Sequence, residues 1–372
     1  MTYDLAIVGA GVLGLAHAVA AARRNKRVVV IDRDAQPNGA SIRNFGFVTV
    51  TGQAAGDCWT LARKSRDVWA EVAEAAGIDI LHRGLVVTAR RPESEAVIDA
   101  FLATDMGREC QRLTPTEAAI FAPALKTDAI TAALFSPYEL RVESREAIPR
   151  LARWLAEEQG VDFRWSTQVL AVETPVVETT AGRIEAETVV VCPGDDYQSL
   201  FAGRIAAYAP TRCKLQMLRV RPAVDGALGA AVMSDLGLAR YRGYADLPEA
   251  AALAARLDRE QPDERANGIH LIAVQSADGS LVVGDSHHYS QTPDPFSESG
   301  VADLILREMD AVLHLPGRIV VESWLGTYAS AAGRWRFTDA PDDATRIAVV
   351  TAGCGASTAF GIGEETISDL FG

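Results

Sequence analysis

No apolar run in the chain approaches the roughly 20 residues that a membrane-spanning helix requires, so no membrane partner is expected. Positive charge is also short: 36 Lys and Arg face 49 Asp and Glu, for a formal net charge of −13. That balance argues against nucleic acid and anionic lipid surfaces as partners. Cysteine is scarce and unpatterned. Cys58, Cys110, Cys192, Cys213 and Cys354 form no CxxC pair and leave an odd count. Such usage fits reduced thiols in a cytoplasm better than a disulfide framework or a zinc site. His17, His82, His270 and His314 stand at no ligand spacing to His287 and His288, so no metal is expected. Internal repeats and low-complexity tracts are missing. The first strand carries Asp4 and runs straight into glycines, unlike a signal peptide. With 372 residues, 48% of them hydrophobic, the chain has the size of two domains and the composition of a soluble globular protein.

What the sequence does contain begins at once. The apolar strand Tyr3–Val8 enters Gly9-Ala-Gly11-Val12-Leu13-Gly14, a helical stretch runs to about Arg24, and a second strand, Arg27–Ile31, ends at Asp32. Gly9 permits a tight turn, Gly11 allows close approach to a pyrophosphate, and Gly14 lets the helix sit on the strand. Free N–H groups at the helix start face the phosphates. Asp32 is placed to accept hydrogen bonds from a ribose 2′-OH and would repel a 2′-phosphate, which favours FAD or NAD over NADP. A glycine triad alone is weak evidence; strand, helix, strand and acid in register make it strong.

Further along, helices are predicted over 59–76, 93–104, Ser144–Gln159 and 299–313. Thr114-Pro-Thr-Glu117 has the form of a capping box. Ile78 to Thr88 reads as a strand, a His-Arg-Gly turn and a second strand. Short strands follow at Asp162–Trp165, Gln168–Glu173 and Val176–Thr179, then the buried-type strand Glu187–Cys192, which ends in Pro193-Gly194. Arg346–Thr351 leads into Gly353-Cys-Gly355 and a closing helix. Nucleotide-binding elements thus sit at the start, the middle and the end, which a contiguous Rossmann domain would not need. An interleaved α/β architecture is expected. A cofactor domain with a central parallel sheet takes 1–80, 140–205 and 325–372. A substrate domain on a mostly antiparallel sheet takes 81–139 and 206–324.

The glycine fingerprint with Asp32, the Val189–Gly194 strand end and the Gly353-x-Gly355 turn, in that order, resemble the D-amino acid oxidase or glycine/sarcosine oxidase superfamily of FAD-dependent amine oxidoreductases. So does Gly39-Ala-Ser41-Ile-Arg43-Asn44-Phe45-Gly46, which matches the family's stretch past the flavin ring. The resemblance covers essentially the whole chain. It implies cofactor contacts at Gly9, Gly11, Val12, Leu13, Gly14, Asp32, Arg33, Ser41, Arg43, Asn44, Phe45, Gly46, Val169, Pro193, Gly194, Gly326, Gly353, Gly355, Ala356, Ser357 and Thr358. Arg33 either stacks on adenine or is solvated. The closing helix would aim its positive end at the N1–C2=O edge of the flavin, a contribution of about 0.3–2 kcal/mol toward its reduction. On the residues alone, Gly353 and Gly355 could equally be a plain strand-to-helix connection. Gly326 stands where sarcosine oxidases carry a cysteine linked to the flavin, so FAD is expected to be non-covalent. Val282 stands where they carry a lysine that assists reaction with O2, which leaves O2 or another electron acceptor open.

The substrate side rests on less. Val142-Glu-Ser-Arg145 and Gly284-Asp-Ser-His287-His288-Tyr289 resemble a bacterial subgroup associated with phosphonate catabolism. The resemblance places Tyr328 where the family binds the acidic group of its substrate. Arg204, Arg212, Lys214, Arg219, Arg221, Arg240 and Arg242 form a basic stretch against only Asp225 and Asp235. Either a strand face there is balanced by acids from elsewhere, or some of these cations, with Lys214, Arg240 and Arg242 foremost, bind a doubly charged phosphonate. His287 and His288 either line the substrate pocket or lie on a surface loop. The expected partner is a small anionic amine, 2-aminoethylphosphonate or its N-methyl derivative, oxidised to phosphonoacetaldehyde. The alternatives are a carboxylate-specific amino acid oxidase or dehydrogenase and, without a flavin, an NAD-dependent reductase.

Overall fold

A computed structural model describes residues 2–223 and 228–372; Asp225 of the basic stretch lies outside them. Among the described residues the strands form two sheets, one of eight strands and one of ten.

The first sheet grows from the amino-terminal unit. Tyr3–Val8 is an almost unbroken apolar run, and every residue of Val28–Ile31 is buried, as befits parallel strands covered on both faces. Tyr3–Val8 pairs in parallel with Val28–Ile31 on one side and with Gly182–Val191 on the other. Gly182–Val191 pairs in turn with Thr345–Val350, again in parallel. Arg336–Asp342 closes that edge in antiparallel fashion. The helix Val12–Ala22, rich in alanine, lies close on this sheet because Gly14 has no side chain: a Cβ there would stand 1.9 Å from the Gly9 carbonyl oxygen. Gly9 itself holds φ +103°, which L side chains rarely adopt.

The second sheet runs, in order, through His288–Ser290, Thr211–Arg221, Leu281–Gly284, Ile272–Gln275, Ala231–Met233, Ile80–Ala89, Ala132–Val142 and Phe47–Val48. Ile319–Ser330 lies along Thr211–Arg221 over its whole length. Antiparallel pairing dominates, with Ala231–Met233 on Ile80–Ala89 the parallel exception among the described residues. Phe47–Val48, inside the stretch expected for the cofactor domain, belongs to this sheet, and Ile319–Ser330 runs unbroken across the expected border at 324/325.

The helices form close to the expected places, as Asp57–Ala75, Pro92–Leu102, Ser144–Glu158 and Ser299–Val312. Thr114 and Glu117 make the reciprocal capping box ahead of Pro115–Phe121. One local expectation is corrected. Ile78–Thr88 contains no hairpin; Ile80–Ala89 is one strand, paired throughout with Ala132–Val142 and carrying two register shifts. Gly84, at φ +82°, serves a bulge rather than a turn, because the partner strand supplies hydrogen bonds on both sides of it.

Asp235 anchors the segment that leads to Arg240. It is fully buried and accepts hydrogen bonds from Arg90 Nη2 (2.9 Å), Arg91 Nη1 (2.8 Å) and Ser94 Oγ (2.9 Å).

His17 gives the first helix a pH-dependent cost. The ring is buried, Nδ1 donates to the Leu13 carbonyl at 2.7 Å, and burial lowers its pKa to about 4. The unfolded chain takes up this proton near pH 6.5, so the stability this neutral ring contributes is present above pH 6.5 and lost as pH falls through 4. The loss is about 3 kcal/mol; His82, lowered by burial to about 3, acts in the same direction. Urea unfolding at pH 7 and pH 4.5 checks this: His17→Gln is expected to lose less stability on acidification than the parent. An equally steep loss in the variant would show that His17 is not the group responsible.

Candidate active site

Where the amino-terminal cradle, the end of Gly182–Val191 and the Gly353–Gly355 turn converge, they line one cavity of about 630 Å³. Gly9, Gly11, Val12, Leu13, Gly14, Asp32 and Arg33 contribute from the first unit. Ser41, Arg43, Asn44 and Phe45 come from the loop after it; Val169, Pro193 and Gly194 come from the middle of the chain. Gly326, Gly353, Gly355, Ala356 and Ser357 come from the last third.

The loops are fixed by their own polar groups. Asp32 Oδ2 accepts the Ala10 N–H at 2.7 Å and Oδ1 accepts that of Asp34 at 2.9 Å, so this carboxylate holds both turns beside it. Ser41 Oγ accepts the Val12 N–H at 2.9 Å, tying the loop to the helix start. Asn44 accepts from the Gly46 N–H and donates to the Ala40 carbonyl, closing its own turn. Arg33 pairs with Asp196 at 2.8 Å. Trp324 Nε1, from a strand of the second sheet, donates to the Arg43 carbonyl (3.0 Å), and Ser357 Oγ, from the closing helix, accepts the Thr49 N–H (2.8 Å) just beyond the loop.

Two residues expected at the cofactor lie elsewhere. Gly46 is outside the cavity and is required for packing, since a Cβ would stand 1.9 Å from the Val142 carbonyl. Thr358 is one turn inside the closing helix, where its hydroxyl donates to the Cys354 carbonyl at 2.9 Å. Cys354 does line the cavity, as does Cys58, whose thiol donates to Gln53 Oε1 at 3.7 Å; the proximity of the two thiols lowers the Cys354 pKa and raises that of Cys58.

On the far wall the cavity meets the second sheet. Arg240, Arg242, His287 and Tyr328 line it, with Tyr241, His270, Asp285 and Tyr289. Tyr328 packs over the carboxy-terminal turn, its ring 3.1 Å from where a Gly353 Cβ would stand. Arg240 Nη2 donates to the Tyr289 hydroxyl at 3.2 Å. Burial works against the charge of Arg240, but Tyr289, Tyr328 and Asp285 hold its pKa above the ordinary value. Asp285 is pushed up to about 8 by burial, with Arg240 pulling it back. Burial, and then Arg240, keep His270 and His287 well below the usual imidazole range.

In the rest of the basic stretch the fold supplies the balancing acids that one of the two readings expected, and two residues expected at the substrate are corrected. Lys214 lies away from the cavity and pairs with Asp294 at 2.8 Å. His288 also lies outside it, bonded to Asn267 Oδ1 at 3.0 Å. Arg204 pairs with Asp339, Arg212 with Asp195, and Arg219 with Glu143 and Glu322.

Asp285 and His270 were missed. A signal for them exists, because Asp278-Gly279 is a turn between Ile272–Gln275 and Leu281–Gly284. Counting outward from that turn sets Ile272 opposite Gly284 and brings His270 beside Asp285 and His287.

The residues fit an FAD: the glycine-built phosphate cradle and the start of the closing helix open onto one cavity, and they lie side by side there, a Cβ on Gly355 standing 3.8 Å from Val12. Comparison with known proteins agrees. Glycine oxidase of Geobacillus kaustophilus is 29% identical over 206 residues, an alignment spanning 52% of this chain and about half (54%) of that protein. The crystal structure of the glycine oxidase from that organism superposes with a TM-score of 0.75 at 22% identity, covering 99% of this chain and 94% of its own. L-proline dehydrogenase from P. horikoshii gives 0.78 at 18%, covering 100% and 93%. The family described as DAO, FAD dependent oxidoreductase, matches residues 4–368, from the first strand to the last helix. The chain whose two ends and middle build this cavity belongs to the DAO family of FAD-dependent oxidoreductases.

Proposed function

We propose that the protein oxidises a small amine that bears an anionic group, and that the amine is an aminoalkylphosphonate, 2-aminoethylphosphonate or its N-methyl derivative. The observation that carries this reading is Arg240, a cation in the cavity wall grouped with Tyr289 and with Tyr328, which touches the carboxy-terminal turn. Arg242 lines the same wall. Its pairing with Asp246 at 3.0 Å leaves Arg240 the stronger candidate for the anion. A guanidinium fork flanked by phenol donors suits a tetrahedral dianion and also takes a carboxylate.

FAD, when bound, supplies the two-electron acceptor for a hydride from the α-carbon of the amine. The chain's own residues bind, shield and orient. Arg240, Tyr289 and Tyr328 hold the acidic end; Tyr241 and Tyr328 crowd the wall and exclude water; together they fix the orientation of the reacting C–H bond. Loss of hydride from the neutral amine leaves a protonated imine, which water hydrolyses to an aldehyde and protonated ammonia or methylamine. For the proposed substrates the aldehyde is phosphonoacetaldehyde. Val282 is buried within the second sheet and does not line the cavity, and the acceptor is O2 or another oxidant.

Steady-state assays of 2-aminoethylphosphonate and its N-methyl derivative against glycine, sarcosine and D-alanine test the substrate. The phosphonates are expected to give the higher kcat/KM. A clear preference for the carboxylates would leave amine oxidation standing and assign the amino acid oxidase or dehydrogenase alternative. The NAD-dependent reductase alternative is set aside, because the family match includes the carboxy-terminal turn and is to FAD-dependent enzymes.

A further inference from the structure

Three side chains of the cavity wall, His270, Asp285 and His287, are given no step in the amine oxidation proposed above. Each is more than nine-tenths buried, at 3%, 4% and 8% exposure. One ligand atom from each lies within 4.8 Å of the others. His270 Nδ1 is 3.3 Å from Asp285 Oδ1, and His287 Nε2 is 3.7 Å from Asp285 Oδ2. Two ligands on one tetrahedral ion with bonds of about 2.1 Å stand roughly 3.4 Å apart, which is the same range.

The orientation of the rings is fixed from behind. His287 Nδ1 lies 2.9 Å from the Gly268 carbonyl, which can only accept, so Nδ1 carries the proton and Nε2 turns a lone pair toward Asp285. His270 Nε2 is 3.3 Å from the Tyr241 hydroxyl, which leaves Nδ1 for the cluster. His270 Nδ1 and Asp285 Oδ1, despite their closeness, make no hydrogen bond to any described residue. Buried polar atoms are nearly always partnered, so two such atoms facing each other mark a place for something else.

We propose that His270, Asp285 and His287 bind one divalent transition-metal ion of the zinc class, with its remaining position open to the cavity. Two imidazoles and a carboxylate form a donor set for zinc and its neighbours and disfavour magnesium or calcium, which take oxygen. The site does not depend on the identity of the amine.

The test uses the flavin-loaded protein, stripped with EDTA and then titrated with Zn2+ by calorimetry, with metal and FAD counted in the same sample. One Zn2+ per FAD is expected. Asp285→Asn and His287→Ala are expected to weaken Zn2+ binding by roughly 100-fold or more, with flavin absorbance and melting temperature unchanged. Zn2+ uptake that is absent from the parent protein, or equal in both variants, overturns the site. Should the variants fail to fold, crystals of the parent soaked in Zn2+ decide it. An anomalous peak between the three side chains supports the proposal, and peaks confined to the surface refute it.

Discussion

Gly11→Val is expected to yield a folded protein without flavin. Gly11 begins the first helix at φ −71°, a backbone that any residue adopts, so the substitution does not strain the turn. Its added side chain points to Ser41, whose Oγ would lie 3.1 Å from the new Cβ. Ser41 Oγ is the acceptor that holds the Val12 N–H, and both residues line the cavity proposed to take the phosphates. The branched methyls therefore displace the loop or fill the space, and either outcome bars a pyrophosphate from the backbone. Gly14→Val would be a poorer test, because a Cβ 1.9 Å from the Gly9 carbonyl prevents the helix from packing at all. Absorbance of the purified variant, with circular dichroism to show that it is folded, reads the result. The parent protein should give up its flavin on acid precipitation, since Gly326 offers no thiol for a covalent link. A yellow, stoichiometric Gly11→Val protein would place the cofactor elsewhere.

Arg240→Met is expected to cost about 3 kcal/mol of transition-state stabilisation, a little over 100-fold in kcat/KM, with the flavin retained. Methionine keeps much of the apolar stem of arginine but offers no charge, so an anionic substrate would lose its partner in the cavity wall. Arg240→Lys should recover part of the loss as a point charge without the two-pronged geometry. If the substrate is held only by the tyrosines, the methionine variant will show nearly unchanged kinetics, and Arg240 is not the anchor. Because Arg240 faces the cavity rather than the first sheet, flavin content serves as the internal control.

The sequence was most legible where structure is local. The turn of Gly9 to Gly14, the Thr114–Glu117 cap and the helix limits depend on near neighbours, so their chemistry can be read within a few residues. Ile78–Thr88 was misread for the opposite reason. Its His-Arg-Gly has turn character, but a long partner strand absorbs the irregularity as a bulge. The same limit governed the basic stretch. Lys214 and Arg240 look alike in sequence, and what separates them is Asp294, 80 positions from Lys214 and brought beside it only by the fold. The cluster at His270, Asp285 and His287 was hidden by its span across a strand pair, a relation that spacing rules for metal motifs do not cover. Gly46 and Thr358 lay within motifs whose other expected contacts line the cavity, yet each is turned to packing by its own backbone neighbours.

The order of strands in the first sheet also governs how the protein comes into being. Tyr3 stands beside Ala186, and Val189 beside Thr345, so the three central strands are drawn from residues made early, midway and late in synthesis. While a ribosome is still making residue 340, neither the strand Thr345–Val350 nor the Gly353–Gly355 turn exists, and a nucleotide reaching the glycine turn would find half a socket. Cofactor capture therefore waits for the last of these strands, and until it emerges the nascent protein must be kept from aggregating by other means.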